Sequence, residues 1–307
     1  MMDFIRKASP FGQLAILLGL MSVCFVVFGV LIQGIFPAIS GGYTMVQAQD
    51  PAIMSKSSVV SAFRISQFFY TFVVFLVPGV LFAWAMGRPA QYLRLNRGLP
   101  FMQLVLAVLV LMCSLYLVGA SAEWNKLAGL PQRFHDMEKM AERQTKIMLQ
   151  MPDSWTMFKN LLLMALLPAI AEEVFFRGCL QRIVQKMVRN GWVAVLITAL
   201  IFSAIHMQFL TFLPRVILGF VIGAVFLVTG NLWLAIAGHF INNGMQVVLF
   251  YLYQSKMISR DPAAEEQVPF YLAIFSAVIT GLLIWRLGER AKQAGYNWRT
   301  AETELKN

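Results

Sequence analysis

Residues 169–178 read AIAEEVFFRG and place two adjacent carboxylates, Glu172 and Glu173, and one guanidinium, Arg177, near the end of an otherwise apolar run. A charge at the centre of a bilayer costs about 2.5–3.5 kcal/mol on insertion scales, so an ionisable group in such a run marks a functional site and needs a partner. Successive helical residues differ by about 100°, so Glu172 and Glu173 cannot share a face, whereas Glu173 and Arg177 lie one turn apart. Glu173 therefore has a local partner. The position four residues after Glu172 is Phe176, so the Glu172 carboxylate must find its partner on another helix or hold its proton more tightly.

Two later segments offer that partner. FSAIH (202–206) ends in His206, the only histidine of its apolar run, and HFINN (239–243) sets His239 and Asn243 on one helical face at i,i+4. Glu172, His206, His239 and Asn243 together supply a carboxylate base, an imidazole and two neutral or cationic donors. That is the minimum for adding water to a carbonyl and stabilising the oxyanion that results. Ser203 sits on the helix of His206, three residues earlier, where its hydroxyl cannot easily reach the ring. There is no HExxH. A zinc site would have to use Glu172, His206 and His239 as a His₂Glu set, which would cost Glu172 its role as the base. His135, beside Asp136 in a charged stretch, reads as a surface histidine.

The elements that must position these residues follow from composition. Of 307 residues, 59% are hydrophobic and 13% charged, with a mean hydropathy of +0.67, which excludes a soluble domain of this length. The expected fold is all-α and polytopic, with eight transmembrane helices near 14–36, 64–86, 101–122, 157–180, 192–210, 213–229, 231–252 and 268–287. The first run exceeds the ~7–15 residues of a cleavable signal core and reads as a retained helix. The excess of 25 Lys+Arg over 15 Asp+Glu serves topology rather than nucleic-acid binding. Cys24, Cys113 and Cys179 all fall in apolar runs and read as small core residues, not as a disulfide framework.

Basic residues cluster at Arg6 and Lys7, at Arg88, Arg94 and Arg97, at Arg182, Lys186 and Arg189, and from Arg286 to Arg299. They place both termini in the cytoplasm. The turn Asn190-Gly191 closes a hairpin in which Glu172 and His206 each lie roughly 22 to 27 Å from the turn, at similar heights. In the loop 123–155, Phe134, Met137, Ala141, Met148 and Met151 recur at helical spacing and predict an interfacial amphipathic helix over about 132–151. The polar tail after Leu287 is expected to fray. One membrane domain, 1–307, accounts for the chain, with the chemistry confined to about 157–250.

The motifs EEVFFRG, FSAIH and HFINN, read as EExxxRG, FxxxH and HxxxN in that order on successive membrane helices, resemble the CPBP or Abi family of intramembrane proteases. Its eukaryotic members are the type II CAAX prenyl proteases. The resemblance implies an eight-helix fold with an intramembrane cavity opening to the cytoplasm and a peptide or protein substrate, lipidated or membrane-inserted. It further implies that Glu172 and His206 activate water, that His239 and Asn243 form the oxyanion hole, and that Glu173 and Arg177 hold helices together. No cofactor is required under this reading, zinc being the alternative. Two rival classes use the same polar network: a proton-coupled transporter, which the lack of internal repeats disfavours, and a non-catalytic membrane scaffold.

Overall fold

The computed structural model describes residues 2–262, 264 and 267–300, and among these every regular element is helical. Nine main helices follow one another: α1 Pro10–Ser40, α2 Ser57–Ala85, α3 Phe101–Lys126, α4 Gln132–Met148, α5 154–188, α6 Gly191–Ile205, α7 Phe212–Thr229, α8 Leu232–Gln254 and α9 Phe270–Gln293. Their ends are written in local chemistry. Ser9 caps α1, accepting from the Gly12 amide, and α1 stops at Gly41, whose φ of 80° suits a residue without Cβ. Asp153 caps α5 by accepting from the Thr156 amide at 2.6 Å, a bond that holds its carboxyl below the ordinary aspartate pKa. Asn190 and Asn231 cap α6 and α8 in the same way.

Three π-helical segments break the regular pitch. In α2 the segment Phe72–Leu76 comes just before Pro78, and in α5 Leu161–Leu166 comes just before Pro168. A proline cannot donate to the carbonyl four residues back, and a locally wider turn accommodates the missing bond. The third segment, Val174–Leu180, contains no proline. It carries Arg177.

Six of these helices, α1, α2, α3, α7, α8 and α9, are long and apolar enough to cross a membrane, so the chain is a multi-pass integral membrane protein. The expected count of eight is not reached on length and composition. Two helices fall short: α5 holds Glu172, Glu173 and Arg177 within its apolar stretch, and α6 has 15 residues, about 22 Å against a ~30 Å hydrocarbon core. The run expected to continue to 210 ends at Ile205. There Met207 adopts a φ of 56°, and Asn125 of α3 donates to the Phe209 and Leu210 carbonyls while accepting from the Leu213 amide. These side-chain bonds replace the helical ladder, which hydropathy cannot foresee.

Taken over its whole length, α5 packs most extensively against α8, and the α3–α9, α1–α2 and α6–α7 pairs pack almost as closely. Arg182 donates to the Tyr92 carbonyl and Arg94 to the Tyr296 hydroxyl, which draws 88–98, the end of α5 and the residues after α9 to one end of the bundle. The tail is therefore not frayed where it is described: α9 continues to Gln293, and Tyr296 is buried and donates to the Leu227 carbonyl. Residues 301–307 lie outside the described residues.

Helix α4 departs from the expected 132–151 in length and in face. It ends at Met148, and Met137, expected on the apolar side, is exposed, whereas Glu138 is buried. Its C-terminal end is pinned to the bundle, with Arg64 of α2 and Asn160 of α5 both donating to the Met148 carbonyl.

Candidate active site

The charges in the middle of α5 have their partners on three other helices. Arg177 donates through Nη1 to Glu173 Oε1 at 2.8 Å and through Nη2 to the Gly219 carbonyl of α7 at 2.9 Å, with both side chains fully buried. Gly219 also lets α7 pack closely on α6, because a Cβ there would stand 3.3 Å from the Phe202 ring and 3.4 Å from Ala199. The Arg177 guanidinium also lies over the Phe202 ring, 5.0 Å from its centroid.

Glu173 does a second thing that the sequence did not disclose. The same Oε1 is 2.7 Å from Nδ1 of His239 on α8, and the other oxygen, Oε2, is buried with no hydrogen-bond partner. Glu173 thus joins an arginine of its own helix to a histidine of another. A carboxylate can only accept, so Nδ1 carries hydrogen and the ring presents Nε2 on its far side. Glu172 stands there, its Oε2 3.9 Å from Nε2 and its side chain 13% exposed against 0% for Glu173. The two adjacent glutamates reach opposite edges of one imidazole.

His206 closes α6. Its Nδ1 is 2.7 Å from the Phe202 carbonyl; a carbonyl only accepts, so here too Nε2 is the nitrogen left for chemistry. Phe202 packs edge-on against His206 (4.8 Å between centroids) and His239 (6.2 Å). It therefore wedges the two histidines and the guanidinium into one cluster. Ser203 donates to the Phe212 carbonyl and faces neither ring. Asn243, one turn beyond His239, accepts at Oδ1 from Asn242 Nδ2 at 3.1 Å, which leaves both amide hydrogens of Asn243 to donate elsewhere.

Two groups at the site escaped the reading of motifs. Arg215, near the start of α7, interacts electrostatically with Glu172 and Glu138, and its guanidinium donates to the Gln208 and Thr211 side chains and to the Gln208 carbonyl. Glu138 of α4, buried to 3% exposure, accepts from the Leu210 amide at 3.3 Å and the Thr211 hydroxyl at 2.6 Å. It fixes the turn that follows His206. The one available signal was its spacing: Phe134, Glu138, Ala141 and Met148 fall on one face of α4.

Among the described residues no three His, Cys, Asp or Glu groups come together in a way that could hold a metal ion, and Glu172, His206 and His239 do not form such a set.

The apolar helices thus bury a Glu–Arg–His network at their centre, with a second carboxylate and a second histidine at its edge. Residues 154–245 match the family model described as type II CAAX prenyl endopeptidase Rce1-like, a match consistent with the CPBP/Abi-type family that the motifs resemble. It spans α5 to the middle of α8, less than a third of the chain. No curated protein and no solved structure matches the chain. The family match supports a CAAX-type membrane protease that acts on a peptide or protein.

Proposed function

We propose that the chain is an intramembrane endopeptidase in which Glu172 and His206 activate water and His239 and Asn243 stabilise the oxyanion. The observation that carries this reading is the placement of His239: Nδ1 on Glu173, and Nε2 toward Glu172 across 3.9 Å. One water can bridge a gap of that width. Glu172 takes a proton from the water, which Nε2 of His206 helps to orient, as the water oxygen bonds to the scissile carbonyl carbon. The negative charge that develops on the carbonyl oxygen is met by Asn243 Nδ2 and by Nε2–H of His239, which as imidazolium donates from both nitrogens, one being held by Glu173. Collapse of the tetrahedral species breaks the C–N bond. The proton held by Glu172 goes to the leaving amine directly or through Nε2 of His206, giving one carboxylic acid and one amine, which then exchange a proton to become carboxylate and ammonium.

No step in this scheme needs a metal or other cofactor. The substrate is a peptide or protein segment, lipidated or membrane-inserted, and nucleic acid is not a partner. We further propose that α5 and α6 complete eight crossings around a catalytic cavity and that both termini face the cytoplasm; the gathering of 88–98, 182–189 and the tail at one end supports that orientation. Cysteine labelling that put Arg88 and Arg189 on opposite sides of the membrane would refute it. The chemistry is tested by incubating the purified chain with a membrane-inserted or prenylated peptide, with and without a chelator. Cleavage that survives chelation is expected. Cleavage abolished by the chelator and restored by zinc would overturn the metal-free scheme, and the absence of any cleavage across such substrates would overturn the protease itself.

A further inference from the structure

Away from the catalytic residues, two cavities meet on the flank of the bundle. The first, 430 Å³, lies at the basic end, where Trp192, Trp285, Trp298, Glu289 and Lys292 surround it. The second, 380 Å³, lies deeper and is lined by Leu117, Leu196, Val216, Ile217 and Ala277, with Thr280 as its single polar side chain. Phe220, Gly281 and Ile284 line both, so the two form one groove, open to the hydrocarbon beside the exposed Leu196 and Trp285.

We propose that this groove binds one amine-headed glycerophospholipid, with its headgroup among the tryptophans and one acyl chain along α7 and α9. Three features fit that occupant. Along α9 the groove runs from Ala277 to Lys292, about 22 Å at 1.5 Å per residue. That matches one leaflet, half of a ~30 Å core plus roughly 5–7 Å of headgroup region. The rim offers Lys292 to a phosphate and Glu289 to an ammonium group, and Trp192 and Trp298, packed edge to face with their centroids 5.8 Å apart, set the amphipathic rings at the height where headgroups lie. Apart from the Thr280 hydroxyl, which has no hydrogen-bond partner among the described residues, the deeper half presents only apolar side chains, which suit a hydrocarbon chain.

Gly281, at the junction, gives the sharpest test, because a Cβ built there meets nothing within 4 Å. Gly281→Leu blocks the groove without a clash at its root and favours the helix. The probe is phosphatidylethanolamine, added to the delipidated full chain in mild detergent and read by native mass spectrometry, with phosphatidylglycerol as competitor. A single phosphatidylethanolamine adduct is expected, preferred over phosphatidylglycerol, lost in Gly281→Leu and kept in Gly29→Leu, which alters an equally open glycine of α1. Lys292→Glu, at an exposed rim position, should weaken binding by more than the roughly fivefold that one lysine near a phosphate is worth, since it also adds a negative charge. Glu289→Gln should erase the preference for the amine headgroup while binding persists. An adduct undiminished in both Gly281→Leu and Lys292→Glu, equal binding of the two lipids, or an adduct with farnesol but none with phospholipid would each overturn the assignment. The readout is binding alone and no variant touches the catalytic cluster, so its failure would leave the protease reading intact.

Discussion

Helices α1 and α5 are both long enough to cross a bilayer with residues to spare, and they solve opposite problems. In the most apolar stretch of α1 only 11% of residues are buried in the protein; Val23, Phe25, Val26, Val30 and Leu31 all face outward. Its partner is lipid, so apolar character on every side is all that its sequence has to encode. From Val174 to Leu180 every residue of α5 is buried. Its partners are particular atoms on α7 and α8, so its sequence carries charges whose meaning depends on groups 42 and 66 residues away. The contrast separates what hydropathy can specify from what only side-chain pairing can.

The largest effects should come from the two glutamates of α5. Glu172→Gln keeps the shape of the edge residue and removes the base, so a folded protein with turnover lowered roughly 10²- to 10⁴-fold is expected. Glu173→Gln strikes the network instead. It leaves the Arg177 charge buried without its carboxylate, a loss of about 3–5 kcal/mol for a buried pair, and it replaces the charged acceptor that orients His239 by a neutral amide. Lost expression or a lowered Tm in detergent should accompany reduced activity in the fraction that folds. The double variant Glu173→Gln/Arg177→Gln should be less damaged than the two singles together, since neutral amides can bond to each other. A stable, inactive Glu173→Gln beside an active Glu172→Gln would reverse the assignment of the two residues.

Next in size is the pair of asparagines on α8. Removing one oxyanion donor costs roughly 10²- to 10³-fold in turnover, so Asn243→Ala should lower kcat much more than it raises KM. Asn242 lies about 100° further round the helix, which by position alone predicts indifference. Its bond to Asn243 Oδ1 makes it a positioning residue, so Asn242→Ala should lower kcat measurably but less. Equal losses at both positions would point to helix packing rather than to the oxyanion.

How much of this was legible follows the same division. The eight apolar runs fall on α1–α3 and α5–α9, because lipid-facing helices announce themselves by length and hydropathy. The Glu173–Arg177 pairing could be expected because both partners lie on one helix, one turn apart. The bond from Glu173 to His239 could not, since nothing in a single chain states which faces of α5 and α8 meet. Phe202 was visible only as the first letter of a motif, although its ring touches both histidines and the guanidinium. Glu138 was hidden by its neighbours. On a helix as charged as α4 one carboxylate looks like another until the 206–211 turn is seen to rest on it.

Glu138 therefore tests whether α4 belongs with the specified core or with the generic surface. Glu138→Gln replaces one of two acceptor oxygens by a donor and leaves the Leu210 amide or the Thr211 hydroxyl unsatisfied, at about 1–3 kcal/mol. The Tm in detergent should fall, with a loss of turnover smaller than that of Asn243→Ala. A variant with an unchanged Tm would show that the turn after His206 holds without α4.

The smallest effect is the most direct check on the comparison, because it uses one substitution in two places. Val225 of α7 is fully buried in the core, whereas Val30 of α1 is 69% exposed. Val225→Ala removes two methyl groups from close-packed surroundings and leaves a cavity, which should cost about 1–3 kcal/mol and lower the Tm. Val30→Ala takes the same methyl groups from a surface against lipid tails, which are as apolar as the side chain they touch, so no hydrophobic free energy is lost between protein and surroundings. Its change should stay within about 0.5 kcal/mol, as for other surface substitutions. Equal losses at the two sites would mean that the outward face of α1 is covered by protein, by a second copy or another subunit, and that α1 is as specified as α5.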